Sequence, residues 1–145
     1  MQEITIETIT ATDAGYAQVW QLREEVLRKP LGMSLKNEHL DMDFEDVIFV
    51  AKSGEDVIGC LMLHHATDSV LKLRQMAVYD AWQGKNVGRQ LVTSAEHYAT
   101  GKGYKTIALH ARIVARDFYT KLGYLPEGEL FTEVGIPHVK MTKSI

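Results

Sequence analysis

Residues 83–91 read QGKNVGRQL, and this stretch decides how the rest of the chain is interpreted. Two glycines, a lysine and an asparagine directly precede a segment with helical periodicity. Glycine within an element costs conformational entropy, so two of them here indicate bare or unusually bent backbone. The first turn of a helix carries unpaired N–H groups and the positive end of the dipole, which together bind anions. The stretch predicts either a phosphate-binding loop or a plain strand–turn–helix connection in which glycine only makes the corner.

The composition is that of an ordinary globular domain. The 145 residues include 46% hydrophobic and 24% charged residues and carry a formal net charge of −3, and a chain of this length can bury its own core. This acidic balance disfavours a nucleic-acid partner, because no basic stripe with interleaved aromatics is present. No apolar segment is long enough to span a bilayer, so no membrane partner is expected. The single cysteine and the lack of a leader pattern in residues 1–20 indicate a cytoplasmic protein.

Hydrophobic periodicity alternates between that of strands and that of helices. Apolar residues alternate in segment 4–9, whereas in segment 16–27 they recur at helical spacing. This first helix is expected to start at an N-cap in Thr12-Asp13 and to end before Pro30. Further strands are predicted in residues 47–52, 57–65, 70–79, 105–111 and 138–145, and further helices in residues 87–100 and 113–123.

The order of these elements defines the fold class. Strands come first and are followed by strand, helix, strand, helix and strand, which predicts one α/β or α+β domain over residues 1–145 with a mixed sheet. Residues 33–46 are polar and acidic, and no element is assigned to them.

Residues 73–124 resemble the core of the GNAT superfamily of N-acetyltransferases. The family carries [Gln/Arg]-x-x-Gly-x-[Gly/Ala] between its fourth strand and the following helix. Here that pattern falls on Gln83, Gly84, Lys85, Asn86, Val87 and Gly88. A second family pattern, Ala-x-x-[Phe/Leu]-Tyr-x-x-x-Gly-[Phe/Tyr], falls on Ala115, Phe118, Tyr119, Gly123 and Tyr124. Asn86 replaces the family's middle glycine, and asparagine tolerates positive φ better than most residues.

The resemblance implies a fold and a cofactor. The fold is a mixed, mostly antiparallel sheet with helices on both faces and a V-shaped splay between the fourth and fifth strands. Acetyl-CoA lies in that splay, with its pantetheine along a bulged fourth strand and its pyrophosphate on the glycine loop. Arg112 stands where many members have an asparagine that contacts the pantetheine; its side chain either reaches the cofactor or points to solvent. The implied cofactor-binding residues are Met76, Ala77, Val78, Gln83, Gly84, Lys85, Asn86, Val87, Gly88, Arg89, Arg112 and Tyr119.

The implied chemistry is direct transfer of the acetyl group to an amine. A backbone N–H at Met76 or its neighbour stabilises the oxyanion, and Tyr119 protonates the leaving thiolate. The alternative for Tyr119 is a core aromatic residue packed beside Phe118. A pure acyl-CoA-binding or sensing module on the same fold is the second functional hypothesis, although such a module has no use for a proton donor.

The general base is open to several interpretations. His110, on the fifth strand near the splay, ranks ahead of a base that acts through water. The other candidate side chains are His64, His65, Glu133 and His138. His64 and His65 are adjacent in a strand and point to opposite faces, so they cannot chelate one metal ion, and no metal is expected. Cys60 is interpreted as a small buried residue.

The acceptor is expected to be an amine of a small molecule or a peptide. The acidic segment between Glu38 and Asp46 follows the first helix, where this fold commonly covers the acceptor side of the site. Carboxylates there predict a cationic acceptor, and the alternative is a solvated surface loop. The sequence is compatible with a homodimer but does not determine the oligomeric state. The carboxylates in question are Glu38, Asp41, Asp43, Glu45 and Asp46.

Overall fold

Seven strands and three α-helices make up residues 3–145, the part of the chain that the computed structural model describes. The strands are β1 (Ile4–Ile9), β2 (Val47–Ser53), β3 (Asp56–His65), β4 (Val70–Val78), β5 (Thr106–Arg112), β6 (Leu125–Glu133) and β7 (Ile136–Ser144). The α-helices are α1 (Tyr16–Arg23), α2 (Val87–Gly101) and α3 (Arg116–Lys121). A π-helical turn (Glu24–Arg28) continues α1, and 3₁₀ turns cover Lys29–Leu31, Leu35–Asn37, Asp41–Glu45, Asp80–Trp82 and Ile113–Ala115. Within residues 3–145, no helix combines the length and the apolar character needed to cross a bilayer.

One mixed sheet orders the strands as β1-β2-β3-β4-β5-β7-β6. All neighbouring strands are antiparallel except β4 and β5, which are parallel and pair only from Val70 to Leu73, opposite Thr106 to Leu109. Past these pairs the two strands continue without pairing to each other. The predicted mostly antiparallel sheet with a V-shaped splay between the fourth and fifth strands is therefore confirmed.

β4 carries a bulge where the splay begins. Its register with β3 shifts beyond the Ala77–Cys60 pair, so that Gln75 and Met76 lie opposite a single β3 residue, Leu61. Gln75 adopts a φ of +55°, a left-handed conformation that is uncommon for residues other than glycine. The bulge that the family resemblance implied for the fourth strand is confirmed.

Apolar side chains are buried on both faces of the sheet. Because side chains alternate along a strand, Leu61 and Leu63 of β3 pack in the core beneath α2, whereas Cys60 and Met62 pack in the core beneath α1. Burial on both faces explains why the sequence of β3 is almost continuously apolar. The prediction that helices cover both faces is confirmed.

α1 begins later than the sequence suggests. Gly15 occupies the N-cap, and the carboxylate of Asp13 accepts a hydrogen bond of 2.8 Å from the Gly15 N–H. Asp13 thus stabilises a turn ahead of the helix, and the prediction of an N-cap in Thr12-Asp13 is wrong. At the other end, the π-helical turn stops at Arg28, before Pro30 as predicted, and a 3₁₀ turn that includes Pro30 follows and closes at Gly32, whose φ is +69°.

β6 is the strand that the sequence does not reveal. It contains Pro126 and Gly128, which are both unfavourable within strands, and its side chains are mostly exposed. β6 pairs only with β7, at the edge of the sheet, and their register shifts between Glu127 and Phe131. An edge position tolerates the missing N–H of proline, and the irregular register accommodates the glycine.

Candidate active site

The loop before α2 has the backbone that its sequence predicts. Gly84 and Asn86 adopt φ values of +76° and +65°, so the asparagine takes the left-handed conformation expected of it. Asn86 is the N-cap of α2, and no side chain caps the first turn. Gln83 ties the loop to β4, because its amide nitrogen donates a hydrogen bond of 2.9 Å to the carbonyl of Val78. The first N–H groups of α2 therefore remain available to a ligand.

A groove of about 690 Å³ runs from this loop along the free side of β4. Lys85 does not line it; its ammonium lies 5.3 Å from the centre of the Trp82 ring. Tyr119 does not line the groove either, but it lines the neighbouring cavity. The remaining residues predicted to bind the cofactor are brought together here: Met76, Ala77, Val78, Gln83, Gly84, Asn86, Val87, Gly88, Arg89 and Arg112.

Gly88 lies where the wall of the groove is tightest. A Cβ added there would come within 3.1 Å of Cζ of Phe118 and 3.8 Å of Cε of Met76. Any side chain at this position would require the Phe118 ring to shift, so glycine leaves the groove most open between α2 and the aromatic ring. The second glycine of the motif is thus explained by close approach, whereas the first is explained by its positive φ.

A smaller cavity of about 190 Å³ lies at the splay itself. The groove opens onto the cavity, because the two share five lining residues. These are Leu27, Met76, Arg112, Ala115 and Phe118. Pockets for drug-sized ligands usually measure about 300–1,000 Å³. The smaller cavity accordingly accepts a compact group rather than a large one.

Tyr119 lines the smaller cavity from α3. Only 5% of its surface is exposed, and its ring packs against Phe118 and Tyr124 with centroid distances of 5.0 and 5.8 Å. Burial raises the pKa of the Tyr119 phenol well above its usual value, so the hydroxyl stays protonated at neutral pH. No partner for this hydroxyl is found in the described part of the chain. Tyr119 therefore combines a core ring with a protonated hydroxyl that has no acceptor within residues 3–145.

His110, Glu133 and His138 meet on the opposite wall of the cavity. One Glu133 carboxylate oxygen lies 2.9 Å from Nδ1 of His110, and the other lies 3.7 Å from Nε2 of His138. Nδ1 of His138 is 2.9 Å from the carbonyl of Ile136. Three of the five predicted base candidates thus form one cluster, and β6 and β7 bring two of them there.

The turn between β6 and β7 sets the position of Glu133. Val134 and Gly135 have φ values of +46° and +77°, as a two-residue type I′ turn requires. A β-branched residue at positive φ is a genuine outlier. Strain of this kind often accompanies functional sites, and Val134 itself lines the cavity.

The other two candidates for the base, His64 and His65, lie away from the cavity. Nδ1 of His64 is 2.7 Å from the Asp46 carboxylate, and Nδ1 of His65 is 2.7 Å from the Tyr104 hydroxyl. Residues 3–145 hold no group of three or more side chains arranged to bind a metal ion. Cys60 is fully buried, and burial raises the pKa of its thiol to about 12, which agrees with its interpretation as a small core residue.

The acidic segment does not form the acceptor wall that the sequence suggested. Asp43 has no exposed surface and contacts guanidinium nitrogens of Arg23 at 2.7 Å and Arg74 at 3.1 Å. Asp46 is also buried, and its Oδ2 lies 2.6 Å from Nη1 of Arg74. These carboxylates are neutralised within the fold, so the prediction that they attract a cationic acceptor is wrong. Glu38 also has an internal partner, Arg28, while Asp41 and Glu45 lie exposed.

Arginines dominate the charge of the smaller cavity. Arg28, Arg74 and Arg112 line it, and Glu133 is its one lining carboxylate among residues 3–145. Arg28 and Arg74 could not be recognised from the sequence, because no local motif marks either residue. Arg28 closes the π-helical turn, an irregularity that is frequent at functional sites and has no sequence pattern of its own.

Comparisons with known proteins agree on one family. The family model of the acetyltransferase (GNAT) domain matches residues 11–145. YjcF of Bacillus subtilis (strain 168), an uncharacterized N-acetyltransferase, is 31% identical over 93% of this chain and 96% of its own length. The chain spans about half the length of two other curated relatives from that strain.

Solved structures share the whole fold. A proposed N-acetyltransferase from Lactobacillus plantarum superposes with a TM-score of 0.86 at 29% identity, over 97% of both chains. A GNAT family acetyltransferase from Elizabethkingia anophelis, solved with acetyl-CoA bound, superposes with a TM-score of 0.74 at 19% identity, over the full length of both chains.

Proposed function

The chain belongs to the GNAT acetyltransferase family, and we propose that it transfers the acetyl group of acetyl-CoA to a primary amine. One observation carries the proposal. The groove that starts at the Gly84–Arg89 loop opens, at the splay, into the cavity lined by Tyr119 and His110. A cofactor whose phosphates rest on the loop therefore directs its other end toward these two side chains. The acetyl-CoA bound to the related protein from Elizabethkingia anophelis supports this choice of cofactor.

The cofactor is held mainly by backbone. The pyrophosphate accepts hydrogen bonds from the first N–H groups of α2, where the helix dipole also favours negative charge. The pantetheine lies along the unpaired side of β4 from Met76 to Val78, like an added strand. Acetyl-CoA supplies the activated acetyl group; the residues of this chain position it and exclude water around the thioester.

The transfer requires two protons to leave the acceptor ammonium and one to reach the sulfur. A base removes a proton from the acceptor ammonium, and the free amine nitrogen attacks the thioester carbonyl carbon. A backbone N–H at the Met76 bulge stabilises the oxyanion. The acceptor nitrogen loses its second proton to solvent as the C–S bond breaks. Tyr119 donates its proton to the thiolate and recovers one from solvent. The products are the acetylated amine, CoA with a free thiol, and one proton released to solvent.

His110 is the base in this proposal. Its Nδ1 faces Glu133 at 2.9 Å, so that carboxylate fixes the ring and leaves Nε2 to accept the proton from the ammonium. Glu133 acts as a positioning residue, and it also stabilises the imidazolium that forms. A water molecule between the ammonium and Nε2 is compatible with the same arrangement.

The test follows free thiol while purified protein is mixed with acetyl-CoA and a panel of amines, with mass spectrometry of the products. We expect thiol release that depends on the amine and an acceptor that gains one acetyl group. A CoA titration by calorimetry runs in parallel. Binding of CoA without turnover of any amine would instead identify an acyl-CoA-binding module, and absence of binding would remove the groove from the proposal.

A further inference from the structure

Arg112 is a half-buried cation that the protein leaves without a counter-ion. One guanidinium nitrogen donates a hydrogen bond of 2.9 Å to the carbonyl of Leu27, and no carboxylate within residues 3–145 forms an ion pair with it. Burial lowers the pKa of Arg112 and repulsion from the nearby Arg28 lowers it further, while attraction to Glu133 offsets only part of this decrease. A buried charge is usually paired, so a ligand is expected to bring the missing anion.

The other charges of the cavity already have partners. The guanidinium of Arg28 contacts both oxygens of Glu38, at 2.5 and 3.1 Å. Arg74 is held by the two buried carboxylates described above. Glu133 lies 2.9 Å from Nδ1 of His110 and 3.7 Å from Nε2 of His138. Arg112 is the cation of the cavity that has no ion-pair partner among residues 3–145 and remains available to a ligand.

The cofactor does not supply this anion at Arg112. The charge of CoA resides on its phosphates, and these belong on the Gly84–Arg89 loop in the proposed function. The pantetheine that passes the splay is uncharged, so it can accept a hydrogen bond from Arg112 but cannot neutralise it. Arg112 also lines the smaller cavity, where the acceptor has to bind.

The position of Arg112 relative to His110 limits the shape of the acceptor. The two residues lie two apart on β5 and share one face of the sheet. Their Cα atoms are therefore about 6.6 Å apart. When the ammonium of the acceptor faces His110 and Glu133, a second group of the same molecule, a few bonds from the nitrogen, lies within reach of the long Arg112 side chain. The small volume of the cavity also favours a compact molecule.

We propose that the acceptor is a small primary amine that carries a carboxylate a few bonds from its nitrogen, as α- and β-amino acids do, and that Arg112 binds this carboxylate. The inference rests on the proposed function and deepens it. The cleft then matches a zwitterion, with Glu133 and His110 at the ammonium and Arg112 at the carboxylate. Arg112 determines specificity and takes no part in the proton transfers.

The test compares three matched acceptors: an α-amino acid, its carboxamide, and the amine left after loss of the carboxylate. Steady-state rates of thiol release are measured for the wild type and for Arg112→Met. We expect the wild type to prefer the amino acid. Arg112→Met should lower kcat/KM for the amino acid on the order of tenfold to a hundredfold, mainly through KM. The losses with the two other acceptors should be much smaller, because neither presents a carboxylate to Arg112.

Two further variants control the comparison. Arg116→Met removes an exposed arginine of α3 that lines neither the groove nor the cavity, and it should leave all three acceptors unaffected. Arg112→Lys keeps a positive charge without the planar fork and should restore part of the preference. Thermal unfolding of each variant reports on folding. If Arg112→Met does not fold, the wild-type preference among the matched acceptors and the Arg112→Lys result decide the question.

Each remaining outcome counts against the inference in a different way. A wild type that prefers the carboxamide or the decarboxylated amine overturns it while the proposed function stands. An equal loss for all three acceptors, or a raised KM for acetyl-CoA, assigns Arg112 to the cofactor instead. No thiol release with any amine overturns the proposed function, and this inference with it.

Discussion

The Gly84–Arg89 loop and the smaller cavity lie side by side but are built in different ways. The loop is a continuous segment whose proposed function depends on backbone N–H groups and on the φ values of Gly84 and Asn86. The cavity is lined by side chains that come from the π-helical turn after α1, from β4, β5, α3 and the β6–β7 hairpin. A site made of local backbone can be interpreted from a short motif, whereas a site made of distant side chains requires the fold.

The largest expected effect lies in the smaller cavity. Tyr119→Phe removes only the hydroxyl, and general acid catalysis is worth about 10²–10⁴-fold. We therefore expect kcat to fall by that factor with almost unchanged CoA affinity and unfolding temperature. Tyr104→Phe, which removes a hydroxyl next to His65, is the matched control and should keep full activity. Full activity of Tyr119→Phe would mean that another group or water protonates the thiolate.

The second prediction concerns the charge network behind the cavity. Asp43→Asn leaves the buried guanidinium groups of Arg23 and Arg74 without a full counter-charge. Breaking a buried ion pair costs about 3–5 kcal/mol, and we expect that loss in the free energy of unfolding measured with urea. Asp41→Asn alters an exposed neighbour in the same turn and should change stability by less than about 0.5 kcal/mol. Equal effects of the two variants would show that the network contributes nothing.

Acid should weaken the same network. Burial alone would raise the pKa of Asp43, but hydrogen bonds from Tyr16 and Arg23 outweigh it and hold this pKa below its usual value. A carboxyl with a lowered pKa in the folded state stabilises the protein above its unfolded pKa of about 3.9. That stability is lost as the pH falls through the folded pKa. Between pH 6 and the acid transition, wild type should therefore lose more stability than Asp43→Asn, as measured by urea unfolding at each pH; parallel curves would contradict this.

Gly88→Ala tests the groove that begins at the Gly84–Arg89 loop. The added methyl would lie 3.1 Å from the Phe118 ring, whose partial exposure allows it to shift. Crowding of this kind costs about 1–3 kcal/mol, and we expect CoA affinity to fall roughly tenfold or more in calorimetric titration. Gly101→Ala, in the same helix with open space around it, is the control and should bind CoA normally. Unchanged affinity of Gly88→Ala would exclude this wall from the cofactor site.

The smallest effect is expected at Asn86. Alanine in a left-handed conformation costs about 1–2 kcal/mol, so Asn86→Ala should lower the unfolding free energy by that amount. Asn86→Gly restores the family pattern and should keep CoA affinity, because glycine adopts the same φ freely. Calorimetric titration of both variants with CoA separates the contribution of the backbone conformation at position 86 from that of the Asn86 side chain. Weaker binding by Asn86→Gly alone would assign a role to the asparagine side chain.

These two regions also show how far the sequence could be interpreted. The loop, the splay and the bulge followed from motifs, and the structure agrees. The acidic segment was misjudged because sequence spacing does not show that Asp43 and Asp46 turn inward to Arg23 and Arg74. That pairing joins residues far apart in the chain, and hydrophobic periodicity carries no information about it.

The cluster at the cavity was foreseen only in part. His110, Glu133 and His138 were all candidates, but the missing strand β6 hid the fact that they converge. Pro126, Gly128 and the exposed side chains of β6 remove the alternation that marks a strand, since neither of its faces is buried. The π-helical turn that presents Arg28 was equally hidden, because its residues read as ordinary helix.

The irregular edge strand has a consequence for solubility. A free strand edge is a template on which a second chain can add a strand and begin to aggregate, and the exposed Leu125 and Leu130 increase that risk on β6. Pro126 removes one backbone donor, and the register shift after Glu127 prevents a continuous ladder. The glutamates of the strand repel the same strand of another copy. The features that made β6 hard to recognise thus also disfavour pairing between the β6 edges of two copies of the protein.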